Sequence, residues 1–215
     1  FVSCERLAND SLKGIPLIIG GNKGRGVVTC ASMEARRFGV RSGMPQFMAN
    51  KLCPQAKVIR GDYELYAKCS ETVSEIIQDN APLMEKSSID EFYIDISGMD
   101  KYFGCLKWTS ELRSKIIHES GLPISFGLSI NKTVSKMATN EGKPMGQLMI
   151  AENDVKPFMN PLPIIRRQKE LISPPSNHIA KGKVFLRKEL FNKIRSIKEC
   201  CIPSYLEWWK IFVFN

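Results

Sequence analysis

The spacing of apolar residues predicts helices and strands that alternate along most of the chain. Apolar side chains recur every three or four residues from about Asp62 to Asp79, and this helical spacing returns between Trp108 and His118. Residues 85–96, between these helices, change to the two-residue period that is typical of a strand. The pattern then predicts a strand over Ile124–Leu128, a helix capped by Ser129 that runs to about Ala138, a strand over Gln147–Ile150 and a short helix over Asn153–Met159.

From Asp62 onward the predicted order of elements is α-β-β-α-β-α-β-α. Runs of this kind are typical of α+β proteins, in which helices and a sheet form separate layers. We therefore expect an α+β fold with an antiparallel or mixed sheet and helices on one face.

The first 61 residues have a pattern of shorter elements. Two apolar runs, Ile15–Ile19 and Val27–Ala31, flank a glycine-rich stretch and predict a hairpin with a long turn. A phosphate-binding loop is the alternative, but the spacing G-x-x-x-x-G-K-[ST] is absent, which favours the turn. Short helices are predicted over Met33–Phe38, ended by Gly39, and over Met44–Leu52, and a strand over Lys57–Ile59.

The pattern changes after Pro163. Residues 173–177 are linker-like, residues 181–198 are basic with some helical spacing, and residues 208–214 are apolar and aromatic. An apolar end of this kind is unfavourable when exposed to water. It docks on the core, or it needs a partner, or it is not an evolved structural unit.

Composition narrows the class of protein. The 215 residues are 43% hydrophobic and 25% charged, which excludes global disorder, and there is no run of 18 apolar residues to span a membrane. No signal peptide opens the chain, and the seven cysteines lack C-x-x-C spacing. We therefore expect a cytoplasmic protein with reduced thiols and no membrane partner. A zinc site is not expected, since neither histidine lies in a His/Cys cluster.

The positive charge of the chain is unevenly distributed. The formal net charge is +9 and the isoelectric point is about 9.2. Residues 166–215 hold 11 Lys and Arg against 4 Asp and Glu, so that the rest of the chain carries a net charge of only +2. An inference from the isoelectric point to nucleic-acid binding therefore concerns mainly the last fifty residues.

Two adjacent carboxylates, Asp90 and Glu91, stand where a strand is predicted to begin. Successive strand side chains point to opposite faces, so both acids can reach one site only where the strand starts or bends. Paired acids at a sheet edge suit Mg²⁺ chemistry on phosphates, because Mg²⁺ prefers oxygen ligands. Taken alone, the pair is more simply interpreted as a solvent-facing turn.

Four further segments change that interpretation, since they occur in a fixed order around the acid pair. The five segments are Phe1–Leu7, Glu34–Pro45, Ser88–Glu91, Gly127–Thr133 and Gly142–Gly146. Together they closely resemble the Y-family of translesion DNA polymerases, specifically the DNA polymerase IV type, over roughly residues 1–165. Any one segment would be weak evidence, whereas five in order are specific.

The resemblance implies an arrangement of subdomains and an activity. Residues 6–61 correspond to a small fingers subdomain, and residues 1–5 and 62–165 to the catalytic palm. Residues 166–215 form an atypical basic tail that does not match the family's thumb. A diverged thumb is one explanation, but a sequence from a shifted reading frame or an unrelated extension is favoured. The implied activity is error-prone lesion-bypass synthesis, in which deoxynucleoside triphosphates are added to a primer–template. A sliding clamp is an expected partner of the full-length protein, and a bacterial protein would be nucleoid-associated.

The resemblance also implies a role for each matching residue. Asp90 binds two catalytic Mg²⁺ ions, and Glu91 joins it as the acidic residue beside the primer 3′-hydroxyl. Arg36 pairs with the triphosphate through its guanidinium fork, and Lys143 supplies a second positive charge. Phe1 takes the place of the aromatic steric gate, whose ring leaves no room for a ribose 2′-hydroxyl.

Two departures from the family pattern limit the expected activity. Met33 replaces a tyrosine that contacts the triphosphate, and a thioether donates no hydrogen bond. The family's bridging aspartate precedes the position of Phe1, so this chain, which does not begin with Met, is expected to be a fragment. Two carboxylates cannot replace three around two cations, and Asp10 and Asp95 are poorly placed to substitute.

We therefore expect weak activity or none from the chain as given. A remnant that binds nucleotide or DNA without catalysis is the alternative function. A nucleotide cyclase with a similar palm is disfavoured, because a cyclase has no use for the fingers segment around Arg36.

Overall fold

A computed structural model describes residues 1–21, 26–97 and 104–163, together with the backbone of residues 210–214. In the described ranges the helices are α1 (Val2–Ala8), α2 (Met33–Arg37), α3 (Gln46–Leu52), α4 (Tyr63–Asn80), α5 (Cys105–Ser120), α6 (Lys132–Glu141) and α7 (Val155–Met159). The strands there are β1 (Leu17–Gly20), β2 (Val28–Ala31), β3 (Lys57–Ile59), β4 (Leu83–Lys86), β5 (Glu91–Asp95), β6 (Ser125–Ser129), β7 (Gln147–Ile150) and β8 (Lys210–Phe214). Short 3₁₀ segments cover Asp10–Leu12 and Glu152–Asp154.

A small sheet forms in the first sixty residues, with the strand order β2-β1-β3. Strand β1 is antiparallel to β2, which confirms the predicted hairpin, and parallel to β3. The turn predicted to join β1 and β2 includes residues 22–25, which lie outside the described residues. Ser32 fixes helix α2 to this sheet, because its hydroxyl oxygen accepts hydrogen bonds from the backbone N–H groups of Leu17 and Ala35, at 3.0 and 3.3 Å.

A larger sheet has the strand order β4-β5-β8-β6-β7. Its β6 and β7 strands run parallel, whereas the other neighbouring pairs are antiparallel. Strand β8 comes from the far end of the sequence and lies at the centre of the sheet. It pairs with β5 from Glu91 to Asp95 and with β6 from Ser125 to Ser129.

The main core lies between one face of the larger sheet and helices α4 and α5. Phe92 and Ile94 of β5 and Phe126 and Leu128 of β6 are almost fully buried in it. The helices contribute Tyr66, Val73, Ile76, Ile77, Leu112 and Ile116. This layer of helices over a mixed sheet confirms the predicted α+β class.

Helix α6 covers the opposite face of the same sheet. Gly127 lies between Phe126 and Leu128 in β6, so its α-hydrogens point away from the main core. A Cβ atom at Gly127 would lie 2.5 Å from the backbone nitrogen of Thr139 and closer still to the carbonyl oxygen of Ser135. Backbone therefore packs directly on backbone at this point, and α6 adds a second helical layer that the sequence pattern did not predict.

Several predicted boundaries differ from the structure. Helix α6 begins after Asn131, whose side-chain oxygen accepts a hydrogen bond from Val134 N at 2.9 Å, so the prediction of Ser129 as the cap is wrong. Ser129 belongs to β6, and its hydroxyl donates to the carbonyl of Ile150 at 2.9 Å. Helix α5 starts three residues before Trp108, and the helix predicted from Asn153 is divided into a 3₁₀ turn and α7.

The C-terminal predictions are tested only in part. The linker-like and basic stretches lie outside the described residues, whereas Lys210–Phe214 docks in the sheet as β8. Of the three possibilities for the apolar end, docking on the core is therefore the one observed for these five residues. The division into fingers and palm stays a prediction. In the described ranges, none of the helices combines the length and the apolar character needed to span a membrane.

The close contact at Gly127 gives a test of the fold. We expect Gly127→Ala to lower the free energy of unfolding by roughly 3 kcal/mol, since the new methyl group meets backbone that cannot rotate away. Gly43→Ala is the comparison, because its added Cβ has nothing within 4 Å and only its φ of 84° is unfavourable, at about 1 kcal/mol. Urea unfolding followed by circular dichroism measures both values. Equal losses in the two variants would contradict the proposed contact.

Candidate active site

The acid pair lies where the β4–β5 hairpin turns. The backbone N–H groups of Ser87 and Ser88 both donate to the carbonyl of Glu91, at 2.9 and 3.2 Å. The hydroxyl of Ser88 donates to Oδ1 of Asp90 at 2.9 Å. Asp90 is the last residue of this turn, and Glu91 is the first residue of β5. The two adjacent carboxylates thus stand at the start of a strand, the position from which both can reach one site.

Helix α6 holds two lysines opposite acidic residues of this hairpin. Nζ of Lys136 lies 3.2 Å from Oε2 of Glu91, and the exposed fractions of these side chains are only 16% and 17%. One helical turn earlier, Lys132 pairs with Glu85 of β4. These two side chains are more exposed to solvent, with exposed fractions of 39% and 40%. Lys132 also lies over the ring of Tyr93, 5.2 Å from its centroid.

Lys143 joins the same group of charges from the turn after α6. Burial of Lys143 lowers the pKa of its ammonium group to about 8. The negative charges of Glu91 and Asp90 act to raise this pKa, and the positive charges of Arg36 and Lys136 act to lower it. The charges of Asp90, Glu91, Arg36 and Lys136 are therefore all within electrostatic reach of Lys143.

Arg36 lies on helix α2, within electrostatic reach of Lys143. Its Nε donates to the carbonyl of Ala31 at 2.9 Å, which orients the guanidinium group. The position of α2 relative to α1 is fixed by Arg6, whose Nη2 donates to Glu34 and to the carbonyl of Ile15, both at 2.9 Å. Burial alone would raise the pKa of Glu34, but the hydrogen bond from Arg6 and further hydrogen bonds lower it overall.

Phe1 borders two cavities, one of which it shares with Asp90. Its ring stacks on Tyr66, with the ring centroids 4.5 Å apart and the planes inclined by 22°. Tyr66 is itself fixed, because its hydroxyl donates to Oε1 of Glu5 at 2.5 Å. The second cavity runs from Phe1 and Tyr66 to Gly20 and other residues of the small sheet and its neighbouring loop. Phe1 is thus a supported ring at the boundary between the acid pair and the small sheet.

Met33, the other residue predicted to approach nucleotide, begins helix α2. It lies three residues before Arg36, a spacing that places both on neighbouring positions of the helix surface. Its side chain is 53% exposed. The structure thus leaves Met33 accessible, and its contact with a triphosphate stays a prediction.

The described carboxylates fit one Mg²⁺ ion better than two. Mg²⁺ is commonly held by one or two carboxylates, with water and phosphate oxygens as the remaining ligands, and Asp90 and Glu91 match that set. Within the described ranges, no group of three or more His, Cys, Asp or Glu side chains is placed to hold a metal ion. Asp95 accepts hydrogen bonds from Ser97 at the other end of β5, and Asp10 pairs with Lys13 at 2.6 Å. Neither joins the acid pair, as the sequence predicted.

Sequence reasoning missed Lys136. Its signal was present in the spacing, because Lys132 and Lys136 are four residues apart and so lie on one face of a helix. That spacing does not say which face, and a lysine on a helix usually faces solvent. Only the contact in the structure, 3.2 Å from Nζ to Oε2 of Glu91, shows that this lysine points towards Glu91.

Comparison with known proteins identifies relatives by sequence. The sequence model of the impB/mucB/samB family matches residues 1–140. A DNA polymerase IV of Dehalococcoides mccartyi strain CBDB1 is 39% identical over 166 residues, which cover 76% of this chain and 43% of that protein. A DNA polymerase IV of Clostridium perfringens strain SM101 is 40% identical over 166 residues, which cover 76% of this chain and 46% of that protein. The chain therefore spans less than half the length of these curated relatives.

Comparison with solved structures also identifies DNA polymerases, here by the similarity of the fold. The insertion ternary complex of Dbh DNA polymerase matches with a TM-score of 0.70 at 28% identity, over 77% of this chain and 50% of that chain. DinB from Sulfolobus solfataricus matches with a TM-score of 0.69 at 26% identity, over 80% of this chain and 54% of that chain. Motifs, sequence relatives and fold agree, and the chain belongs to the impB/mucB/samB family, the Y-family of DNA polymerases.

Proposed function

We propose that this chain carries the nucleotidyl-transfer site of a DNA-directed DNA polymerase of the error-prone, lesion-bypass type. The observation that carries the proposal is the meeting of Asp90 and Glu91 with a cationic group that includes Lys143, in a member of this family. The proposed substrates are primer–template DNA and deoxynucleoside triphosphates. The neighbour described as an insertion ternary complex of a DNA polymerase supports this choice.

In this proposal Asp90 and Glu91 hold Mg²⁺. Bound Mg²⁺ supplies activation of the primer 3′-hydroxyl and neutralisation of the charge that develops at the α-phosphorus. Because only two carboxylates meet here in the described part of the chain, a second ion must take most of its ligands from the triphosphate or from other groups. Ser88 holds Asp90 in position through its hydroxyl.

The cationic residues bind and orient the triphosphate. The guanidinium group of Arg36, oriented by its bond to Ala31, is suited to bidentate phosphate contact. Lys143 adds a partly buried positive charge, which interacts more strongly with phosphate than an exposed one. Together the two cations would bind and orient the triphosphate for attack by the hydroxyl.

Phe1 is proposed to select deoxyribose over ribose. A ring that stacks on Tyr66 cannot move aside without losing that contact, so it forms a rigid floor. A ribose 2′-hydroxyl placed against such a floor meets a steric clash that deoxyribose avoids.

The subdomains around the site, the role of the whole protein and its partner are proposed from membership of the family. Residues 6–61 are proposed as fingers, and residues 1–5 and 62–165 as palm. In the whole protein the activity serves synthesis past damaged bases in the cytoplasm, with a sliding clamp as a partner. These features belong to the proposal for the whole protein.

A non-catalytic remnant that binds nucleotide is the second candidate, and the two described carboxylates favour it for the chain as it stands. Primer extension with Mg²⁺ distinguishes the two. We expect weak extension or none from the 215-residue chain, together with measurable nucleotide binding. Extension at a rate typical of polymerases would contradict the expectation that two carboxylates are too few.

The acid pair can be tested by metal binding. We expect Asp90→Asn and Glu91→Gln each to weaken Mn²⁺ binding by about tenfold or more, since each removes a charged oxygen ligand. Glu85→Gln is the matched control, because Glu85 also pairs with a lysine of α6 but lies outside the proposed site. Electron paramagnetic resonance of free Mn²⁺ measures the affinities. Equal weakening by all three substitutions would contradict a metal site at the acid pair.

The pKa of Lys143 predicts how nucleotide binding depends on pH. With EDTA present, a bound triphosphate adds negative charge and raises the pKa of Lys143 above its value of about 8 in the unliganded protein. Lys143 therefore stays protonated to a higher pH in the complex than in the unliganded protein. Affinity for a fluorescent deoxynucleotide should be full well below pH 8, begin to fall near pH 8 and then decrease by up to about tenfold per pH unit for one proton.

The control for this pH dependence is Lys143→Arg, which stays charged throughout and should give a flat profile over the same range. A wild-type profile that is equally flat from pH 7 to pH 9.5 would contradict a direct role for Lys143 in triphosphate binding.

The steric gate gives a further test. We expect Phe1→Ala to reduce the preference for dATP over ATP by roughly tenfold or more, because the space under the sugar then admits a hydroxyl group. Tyr66→Phe is the control, since it keeps the ring on which Phe1 stacks and removes only the hydroxyl that donates to Glu5. Competition binding against a fluorescent deoxynucleotide measures the preference, and an unchanged ratio in Phe1→Ala would exclude the gate.

A further inference from the structure

Glu91 is already paired with a cation that belongs to the protein. Lys136 lies 3.2 Å from its carboxylate, and both side chains are largely shielded from water. Lys143 is also within electrostatic reach of the same carboxylate. Any divalent cation that binds Glu91 must therefore compete with at least one ammonium group of this chain.

The Lys136–Glu91 pair is less hydrated than a similar pair beside it. The exposed fractions at Lys132 and Glu85 are more than twice those at Lys136 and Glu91. Opposite charges attract more strongly where water is scarce, so water screens the attraction between Lys136 and Glu91 less than that between Lys132 and Glu85. The two pairs join the same elements, because the lysines are one turn apart on α6 and the acids lie in one hairpin, but Lys132 also lies over the ring of Tyr93.

The backbone of Lys136 cannot move far, although its side chain can. Helix α6 is fixed at its start by the Asn131 cap and in its second half by the contact with Gly127. The four-carbon stem of a lysine is flexible and can redirect its ammonium group by several ångströms. Lys136 also lowers the pKa of Lys143, so a phosphate that binds Lys143 comes within the field of Lys136 as well.

We propose that Lys136 is a positioning residue that makes the binding of divalent cation and triphosphate depend on each other. It holds Glu91 in the metal-free site, opposes a divalent cation that arrives alone, and moves to a phosphate oxygen when a triphosphate arrives with its metal. Metal and triphosphate then bind cooperatively, because each binds more tightly once Lys136 has left Glu91. This inference rests on the proposed function, since it requires metal at Glu91 and phosphate near Lys143.

The test compares Lys136→Met with Lys132→Met in the 215-residue chain. We expect Lys136→Met to tighten the binding of Mn²⁺ alone by about tenfold, within the ordinary range of coupling between two sites. The gain in affinity that Mn²⁺ gives to a fluorescent deoxynucleotide, relative to EDTA, should fall by a similar factor. Lys132→Met should leave both quantities within about twofold of wild type, and Lys136→Arg should restore the wild-type values because it keeps the charge.

A purely structural role for Lys136 predicts the opposite sign, because a disturbed site binds metal less tightly. Urea unfolding of each variant shows whether the fold is retained. Unchanged or weaker Mn²⁺ binding in a folded Lys136→Met variant would overturn the inference, even if Asp90→Asn abolishes Mn²⁺ binding as the proposed function requires. If Asp90→Asn has no effect on Mn²⁺ binding in either background, the proposed metal site fails and the inference fails with it.

Discussion

Direct backbone contact between helix α6 and strand β6 at Gly127 determines where most of the site's cations lie. Any side chain at this position would force the helix away from the sheet, so only glycine allows the observed approach. Helix α6 carries Lys136, and the turn that follows it carries Lys143. The positions of the positive charges around the acid pair thus depend on the absence of a side chain at Gly127, which is not itself one of the charged residues.

Strand β8 also determines where the acid pair lies relative to its cations. The acids begin β5, while the lysines are carried by a helix that packs on β6, and these two strands pair with β8 rather than with each other. In the register of the sheet, Phe214 pairs with Glu91 on one side and Ser125 on the other. The distance between the carboxylates and their cations is therefore set by a backbone segment more than a hundred residues after Glu91 in the sequence.

Local features of the fold and site could be predicted from sequence, and long-range ones could not. The α4 helix, the hairpin of the small sheet and the strand start at Asp90 and Glu91 follow from periodicity and turn chemistry. The place of β8 does not, because an apolar run shows that a segment is buried without showing which strands it joins. Lys136 was missed for the same reason, since its partner is 45 residues away and its helix face is chosen by packing at Gly127.

The charge balance of the site argues against any simple link between isoelectric point and function. Residues 1–165 carry a net charge of only +2, and around the acid pair the lysines partly offset the carboxylates. A locally balanced site attracts neither a free cation nor a free anion strongly. A free cation is repelled by the lysines, and a free anion is repelled by the carboxylates. A cation and a polyanion that arrive together meet no such penalty, since each replaces one member of an existing ion pair. A nearly neutral site of this kind favours a metal–phosphate complex over either component alone.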